Sequence, residues 1–348
     1  MAEADASLDV ALVSLGTTPG LRRADAAFAE AVRAAGASCD VIAVEIGGAG
    51  RLRVQMALTD AVEALAARRA AREVRARAVV FSTVTAALFA RVQAPYAVRF
   101  DAPAALNRPG AAGAWQRARE RRVLAGARLL LPCSEAAAAA VRAGGAGVVT
   151  VPPPIEVEPG PPQRPIDAVA YAGNPGKRGL ALLCAAWAAA AESGQRLVVS
   201  GIDRARALEY LERAGESEPR GVEWIGLEPR ARWLDRVRSA RVFVNASRFE
   251  DFGIAPLEGL AAGTPLVTVA CEGPYAALPL ARELAGELVA PQRSANALAA
   301  ALRAGLALEP AARADYARRA AELLTPFRRE TVNATVSERV LPALGIET

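Results

Sequence analysis

The chain has 348 residues, 53% of them hydrophobic and 23% charged, with a formal net charge of +5 and no histidine. This length suits two globular domains, and the composition excludes a disordered chain. Without histidine there is no Ser–His or Cys–His nucleophile and no histidine-bound metal.

Four cysteines, Cys39, Cys133, Cys184 and Cys271, form no C-x-x-C pair, so neither a zinc site nor a disulfide framework is expected. The opening Met-Ala-Glu-Ala-Asp is acidic and lacks the apolar segment of a signal peptide. No stretch of about 18 uncharged apolar residues predicts a membrane span. The expectation from these readings is a soluble cytoplasmic protein.

In chain order, Leu8–Leu15 reads as a buried strand, followed by the loop Gly16-Thr-Thr-Pro-Gly20 and a helix over about Leu21–Ala35. Val41–Glu45 is a second strand, and a long helical zone covers about Val54–Arg77. Short strands follow at Val79–Ser82 and Ala97–Phe100. A helix at Trp115–Gly126, a strand at Arg128–Pro132, a helix from Ser134 to about Ala143 and a strand at Val148–Val151 come next. The prolines of 152–165 forbid helix or central strand and read as a stiff linker.

Alternation then restarts. Strands are expected at Ala168–Ala172, Arg196–Gly201, Val222–Ile225, Val242–Ala246 and Leu266–Val269. Helices are expected at Leu180–Glu192, Ala205–Ala214, Arg230–Arg238, Pro256–Ala262, about Ala295–Gly305, Ala311–Leu324 and Arg328–Val340. Strands alternating with helices predict two doubly wound parallel α/β domains, and such sheets bind ligands at the carboxyl ends of their strands. The expected divisions are residues 1–155, a linker at 156–165, a second domain at 166–325 and a terminal helix at 326–348. Leu323, Leu324, Phe327, Val332, Val336 and Val340 supply that helix with an apolar stripe to bury.

Charge is uneven. Residues 1–155 carry a net +6 and the remainder a net −1. The basic half includes Trp115-Gln-Arg-Ala-Arg-Glu-Arg-Arg-Val-Leu-Ala-Gly-Ala-Arg128. This patch suits a weak contact with anionic lipid at the inner membrane face. It equally suits a solvated helix in an arginine-rich protein, which is the simpler reading. No basic–aromatic interleaving points to nucleic acid.

The densest signal is Ser247-Arg-Phe-Glu-Asp-Phe-Gly-Ile-Ala-Pro-Leu-Glu-Gly-Leu-Ala-Ala-Gly-Thr-Pro-Leu-Val267. Two carboxylates, Glu250 and Glu258, stand eight apart across a glycine turn that enters a helix. Pro256 suits the first helical position, Gly263 a left-handed stop, and Pro265 prevents continuation. The amides of Gly253, Ile254 and Ala255 then lie at a helix N-terminus, a ready site for phosphate. Flanking carboxylates suit an anionic ligand that also carries hydroxyls, as a sugar nucleotide does.

This spacing resembles the Glu-x7-Glu motif of retaining glycosyltransferases of the GT-B fold, specifically family 4, the "group 1" type. The resemblance implies two Rossmann-like domains facing across a cleft, a nucleoside-diphosphate-sugar donor and a hydroxyl acceptor, with no cofactor and no metal. It also implies that the last helix crosses back onto the N-terminal domain. Glu258 would hold ribose hydroxyls and Glu250 hydroxyls of the donor sugar. Tyr171-Ala-Gly-Asn-Pro-Gly-Lys-Arg-Gly-Leu180 resembles the family segment that neutralises the diphosphate. Lys177, the only lysine of the chain, or Arg178 would take that role beside Gly173, while Asn174 stands where the family has arginine. Gly201 and Leu227 would border the nucleobase, and Gly16 would approach phosphate and acceptor. Asp101 stands near the place of a family histidine, where it could bind an acceptor hydroxyl or cap a turn. A GT-B phosphorylase or epimerase, and a non-catalytic nucleotide-sugar-binding protein, remain alternatives.

Overall fold

The computed structural model describes residues 8–46, 56–141, 144–161 and 163–347. They form two compact units, Met1–Pro154 with Pro326–Thr348, and Ile155–Thr325. Each is built on one six-stranded sheet whose paired strands all run parallel.

In the N-terminal unit the strands are β1 (Leu8–Ser14), β2 (Cys39–Ala43), β3 (Ala76–Phe81), β4 (Tyr96–Phe100), β5 (Leu129–Pro132) and β6 (Gly147–Val148), in the order β2-β1-β3-β4-β5-β6. β1 is apolar throughout its centre because a parallel strand is covered on both faces. Its alternate residues enter two cores: Val10 and Leu12 pack with Phe28 and Val32, while Val13 packs with Phe81 and Phe100. Phe28 and Val32 lie one turn apart on helix Pro19–Ala34, which starts with a proline in its first turn and Thr18 capping the Leu21 amide at 3.1 Å.

Val332, Val336 and Val340, four residues apart, complete the core beside Val10 and Leu12. They ride on helix Arg329–Thr335, which passes through one π-helical turn at Val336–Val340 into Leu341–Leu344. Arg329 ties this segment to Glu30 at 2.7 Å, and Arg77 donates to the Gly345 carbonyl at 3.1 Å. Within the stripe read from sequence, Leu324 is buried, whereas Leu323 and Phe327 are half-buried.

In the C-terminal unit the strands are β7 (Ile166–Tyr171), β8 (Leu197–Ser200), β9 (Val222–Gly226), β10 (Ala240–Asn245), β11 (Leu266–Val269) and β12 (Val289–Ala290), in the order β12-β11-β10-β7-β8-β9. The chain winds outward from β7 in one direction and resumes at β10 in the other. The order therefore reverses between β7 and β10, the point where doubly wound sheets open a ligand crevice.

The proline-rich stretch is fastened to the C-terminal unit. Gly160 donates to the Ala262 carbonyl at 2.9 Å. The Arg164 guanidinium reaches the carbonyls of Arg238, Ala240, Ala262 and Gly263 and the Thr264 hydroxyl. Burial lowers the pKa of Arg164 to about 10, so it stays charged.

Several boundaries differ from the sequence reading. The long helix spans Met56–Arg72, its expected start at residue 54 lies outside the described residues, and β3 begins at Ala76, inside the stretch read as helical. Arg75-Ala-Arg-Ala78 alternates polar and apolar with the period of a strand, but four such residues beside an arginine-rich helix are too few to mark the boundary. The helix after Ser134 stops at Ala139, and the expected end near 143 is outside the described residues. Helices Val84–Ala87, Ala104–Asn107 and Ala277–Ala285 were not foreseen. Among the described residues no helix is long and apolar enough to cross a membrane.

Candidate functional site

The loops after β7 and β10 meet at the switch point. After β7, a one-turn helix Pro175–Arg178 forms because Asn174 accepts from the Lys177 amide at 3.1 Å and Pro175 presets the first position. Gly179, at φ +67°, ends it in the left-handed region. A Cβ there would stand 2.0 Å from the Ala246 carbonyl oxygen, so only glycine lets the two loops touch. The Arg248 amide donates to the Lys177 carbonyl at 2.8 Å, locking the two loops together.

This brings Lys177 against Asp251 and Arg178 against Glu250 as ion pairs. Arg178 also lies over the Tyr171 ring, 5.6 Å from its centroid, and Lys177 lies 5.7 Å from the Phe249 centroid. Glu250 is 2% exposed. Ser247 Oγ stands 2.7 Å from both Glu250 Oε1 and Asn245 Oδ1, and Asn245 Nδ2 donates to Tyr275 Oη at 3.0 Å. Burial pushes the Tyr275 phenol far up its titration range, so it stays protonated. Its ring supports Gly253, where a Cβ would lie 2.8 Å away. Arg293 holds the same loop through the Ala246 and Ser247 carbonyls at 2.7 and 2.8 Å.

Gly253, at φ +90°, precedes helix Ile254–Ala261. The helix thus starts two residues before Pro256, which takes the third position; proline is tolerated throughout the first turn because no amide there has an intrahelical partner. Among the described residues the amides of Gly253, Ile254 and Ala255 have no acceptor.

Glu258 is buried on this helix. Its carboxylate accepts from Arg230 Nη2 at 2.8 Å and Trp233 Nε1 at 3.2 Å. Arg230 and Trp233 are three apart on helix Arg230–Arg238 and so share a face. Two donors leave part of the carboxylate's accepting capacity unused. Trp233 is wedged edge-on between Tyr171 and Phe243.

Gly173 and Gly201 pack against each other: a Cβ on Gly201, at φ +91°, would meet the Gly173 nitrogen at 2.6 Å. The Gly201 amide donates to the Gly226 carbonyl at 2.7 Å, and Leu227 beyond it is 83% exposed. Thus Gly173, Lys177, Arg178, Gly201, Leu227, Glu250, Gly253, Ile254, Ala255 and Glu258 gather on the carboxyl edge of one sheet. Asn174 is there too, but its side-chain oxygen is used as a helix cap.

Gly16 and Asp101 belong to the other unit, after β1 and β4. The Gly16 carbonyl accepts from Arg22 at 2.6 Å, and the exposed Asp101 carboxylate accepts from the Ala102 amide at 2.8 Å. Beneath them a buried pair joins Arg99 to Asp25 at 3.0 Å, with Ser14 also donating to Asp25. Burial raises the pKa of Asp25 against the opposing pull of Arg99. The cysteines offer no nucleophile: burial pushes Cys133, Cys184 and Cys271 up to about 12 and Cys39 to about 11. On the basic helix Ala114–Gly126, Trp115 stacks on Phe89, Arg119 lies over that ring, and Arg117 donates to the Arg108 carbonyl. Arg121 and Arg122 remain exposed.

Two parallel doubly wound units of this topology make up a GT-B fold. Residues 167–307, most of the C-terminal unit, match the family described as glycosyl transferases group 1. Sucrose-phosphate synthase from Thermosynechococcus elongatus is similar in fold, with a TM-score of 0.75 at 17% identity, covering 97% of this chain and 99% of that one. WaaG, a glycosyltransferase involved in lipopolysaccharide biosynthesis, gives a TM-score of 0.69 at 18% identity over 94% of this chain and 99% of its own. The E. coli trehalose-6-phosphate protein bound with UDP-2-fluoro glucose gives 0.67 at 14% identity, over 97% and 99%. No curated protein sequence matches the chain.

Proposed function

We propose that this protein is a retaining glycosyltransferase that moves a sugar from a nucleoside-diphosphate donor to an acceptor hydroxyl. The observation that carries the reading is the convergence of Lys177, Arg178, Glu250, Glu258 and the acceptor-free amides of residues 253–255 at the switch point between β7 and β10. The similarity to a protein solved with UDP-2-fluoro glucose supports it.

Glu258 accepts from the ribose hydroxyls, and Glu250 from hydroxyls of the transferred sugar. Exposed Leu227 lies against the nucleobase. Lys177, Arg178 and the helix N-terminus stabilise the leaving diphosphate, which gains negative charge as the glycosidic bond breaks. The leaving phosphate oxygen takes the acceptor's proton on the face that it vacates, which retains configuration. Fixed cations do the work of a metal, so the reaction needs none. The acceptor belongs to the edge of the N-terminal unit that carries Gly16 and Asp101. A peripheral contact of that unit with anionic lipid is part of the proposal, supported by exposed Arg121 and Arg122; sedimentation with phosphatidylglycerol vesicles checks it.

Calorimetry against a panel of nucleotide sugars tests the central reading. A hydrogen bond to a charged group contributes about 1.5–3 kcal/mol, so Glu258→Ala is expected to weaken the cognate donor about ten- to a hundredfold. Unchanged affinity would refute the ribose role. Donor binding without turnover, with or without excess EDTA, would instead make the chain a sugar-nucleotide-binding protein.

A further inference from the structure

Asp251 is a carboxylate of the site that the proposed reaction leaves without a task. It is 25% exposed, pairs with the chain's only lysine, and stands next to Glu250. Because the Arg248 amide is bonded to the Lys177 carbonyl, consecutive residues 177 and 178 face consecutive residues 251 and 250 in crossed order. Two cations therefore meet two carboxylates, and the charges of Lys177 and Arg178 are already matched before anything binds.

The two pairs are not equivalent. Arg178 is held by buried Glu250 and by the Tyr171 face, so its guanidinium is fixed. The Lys177–Asp251 pair lies at the rim, with Lys177 34% exposed. An ammonium on a flexible stem can turn toward a new anion, and its three donors allow a phosphate oxygen to share it with Asp251. The carboxylate, however, stays beside any phosphate that Lys177 takes. Like charges that close repel, and the penalty grows with the ligand's charge. A free nucleoside diphosphate carries about one more negative charge near pH 7 than its sugar ester, because the terminal phosphate ionises with a pKa of about 6.

We propose that Asp251 is an affinity-setting residue: it holds Lys177 in place in the empty site and weakens the diphosphate product more than the donor, thereby favouring product release. This rests on the reading of the site as a nucleotide-sugar site. The role is one of positioning and discrimination, since Asp251 acts on the ligand through Lys177 and through its own field.

The test compares wild type, Asp251→Asn and Asp251→Glu by calorimetry with UDP, GDP and ADP, their glucose esters, and inorganic pyrophosphate. At a half-exposed pair the effect is about fivefold. Asp251→Asn is expected to bind the preferred nucleoside diphosphate and pyrophosphate about fivefold more tightly, and the corresponding ester less than about twofold more tightly. The gain should shrink as salt is raised. Asp251→Glu, which keeps the charge, should stay near wild type. If Asp251→Asn does not fold, Asp251→Ser carries the same expectation. Equal or weaker diphosphate binding in the neutral variants, or an equal gain for ester and diphosphate, overturns the proposal. A wild-type protein that binds none of the nucleotides brings down the donor-site reading itself, and this inference with it.

Discussion

At the carboxyl edge of the N-terminal sheet, Arg99 and Asp25 pair with side chains 3% and 1% exposed, whereas at the same edge of the C-terminal sheet Lys177, Arg178 and Arg230 keep 34%, 22% and 38% of theirs open to solvent. The architecture is shared, but the charges do different jobs. A pair sealed from water must be satisfied internally, because neither ion can be left alone at that depth. A pair at a rim is worth little to stability and can be exchanged for a ligand. Glu250 and Glu258 are themselves buried, so the difference between the two edges lies in the cations: sealed from solvent in the N-terminal pair, open to it in the C-terminal ones.

The strongest way to break this contrast is Arg99→Met. Removing one partner of a buried pair costs about 3–5 kcal/mol. A large fall in melting temperature is expected, with much of it regained when Asp25→Leu is added. A melting temperature within a degree of wild type would put Arg99 among the binding charges instead.

Glu120 sharpens the same point by pH. It is 5% exposed and accepts from the Ala104 amide at 2.7 Å. Desolvation raises its pKa to about 7 from the usual 4.5, against weaker lowering by that amide, Arg108 and Arg121. The folded chain thus holds this proton at higher pH than the unfolded chain does. Its contribution to stability falls as pH rises from about 4.5 to 7 and is level above that. The ionised form costs about 3 kcal/mol. Glu120→Gln should raise the melting temperature at pH 8, with the gain vanishing toward pH 5. A gain independent of pH would contradict the assignment.

The smallest expected effect lies in the C-terminal unit. Gly253→Ala must adopt φ +90° and push its Cβ against Tyr275. Strain of this kind costs about 1–3 kcal/mol. We expect a modest loss of stability and weaker nucleotide binding, read by thermal shift with and without nucleotide. An unaltered response to nucleotide would detach the amides of 253–255 from the site.

Much of the C-terminal site was legible because its signals are local. The turn glycine, the helix entry and both carboxylates lie within one short stretch, as do Gly173, Lys177 and Arg178. The partners of those groups were not legible. Arg230 and Trp233 lie 28 and 25 residues from Glu258, and Tyr275 lies 22 residues beyond Gly253; only the folded chain brings them together. The short helices Val84–Ala87 and Ala104–Asn107 escaped because four residues carry no periodicity. The Arg99–Asp25 pair left a trace that could have been followed. Asp25 shares one helical face with Phe28, Ala29 and Val32, and Arg99 stands between the apolar residues of β4. A charge on an otherwise apolar face calls for a buried partner.

The crossing of Pro326–Thr348 into the first unit has a consequence for how the chain is made. On the ribosome, residues 8–148 emerge with all six strands of the first sheet but without Val332, Val336, Val340, Leu341 and Leu344, which complete the face formed by Val10, Leu12 and Leu131. The whole of Ile155–Thr325 is synthesised in the interval, and every element of its own sheet is then available. The unit encoded first therefore cannot complete this core until the whole of the unit encoded second has been made. That interval, at about 5–20 residues per second, lasts roughly 10–40 seconds.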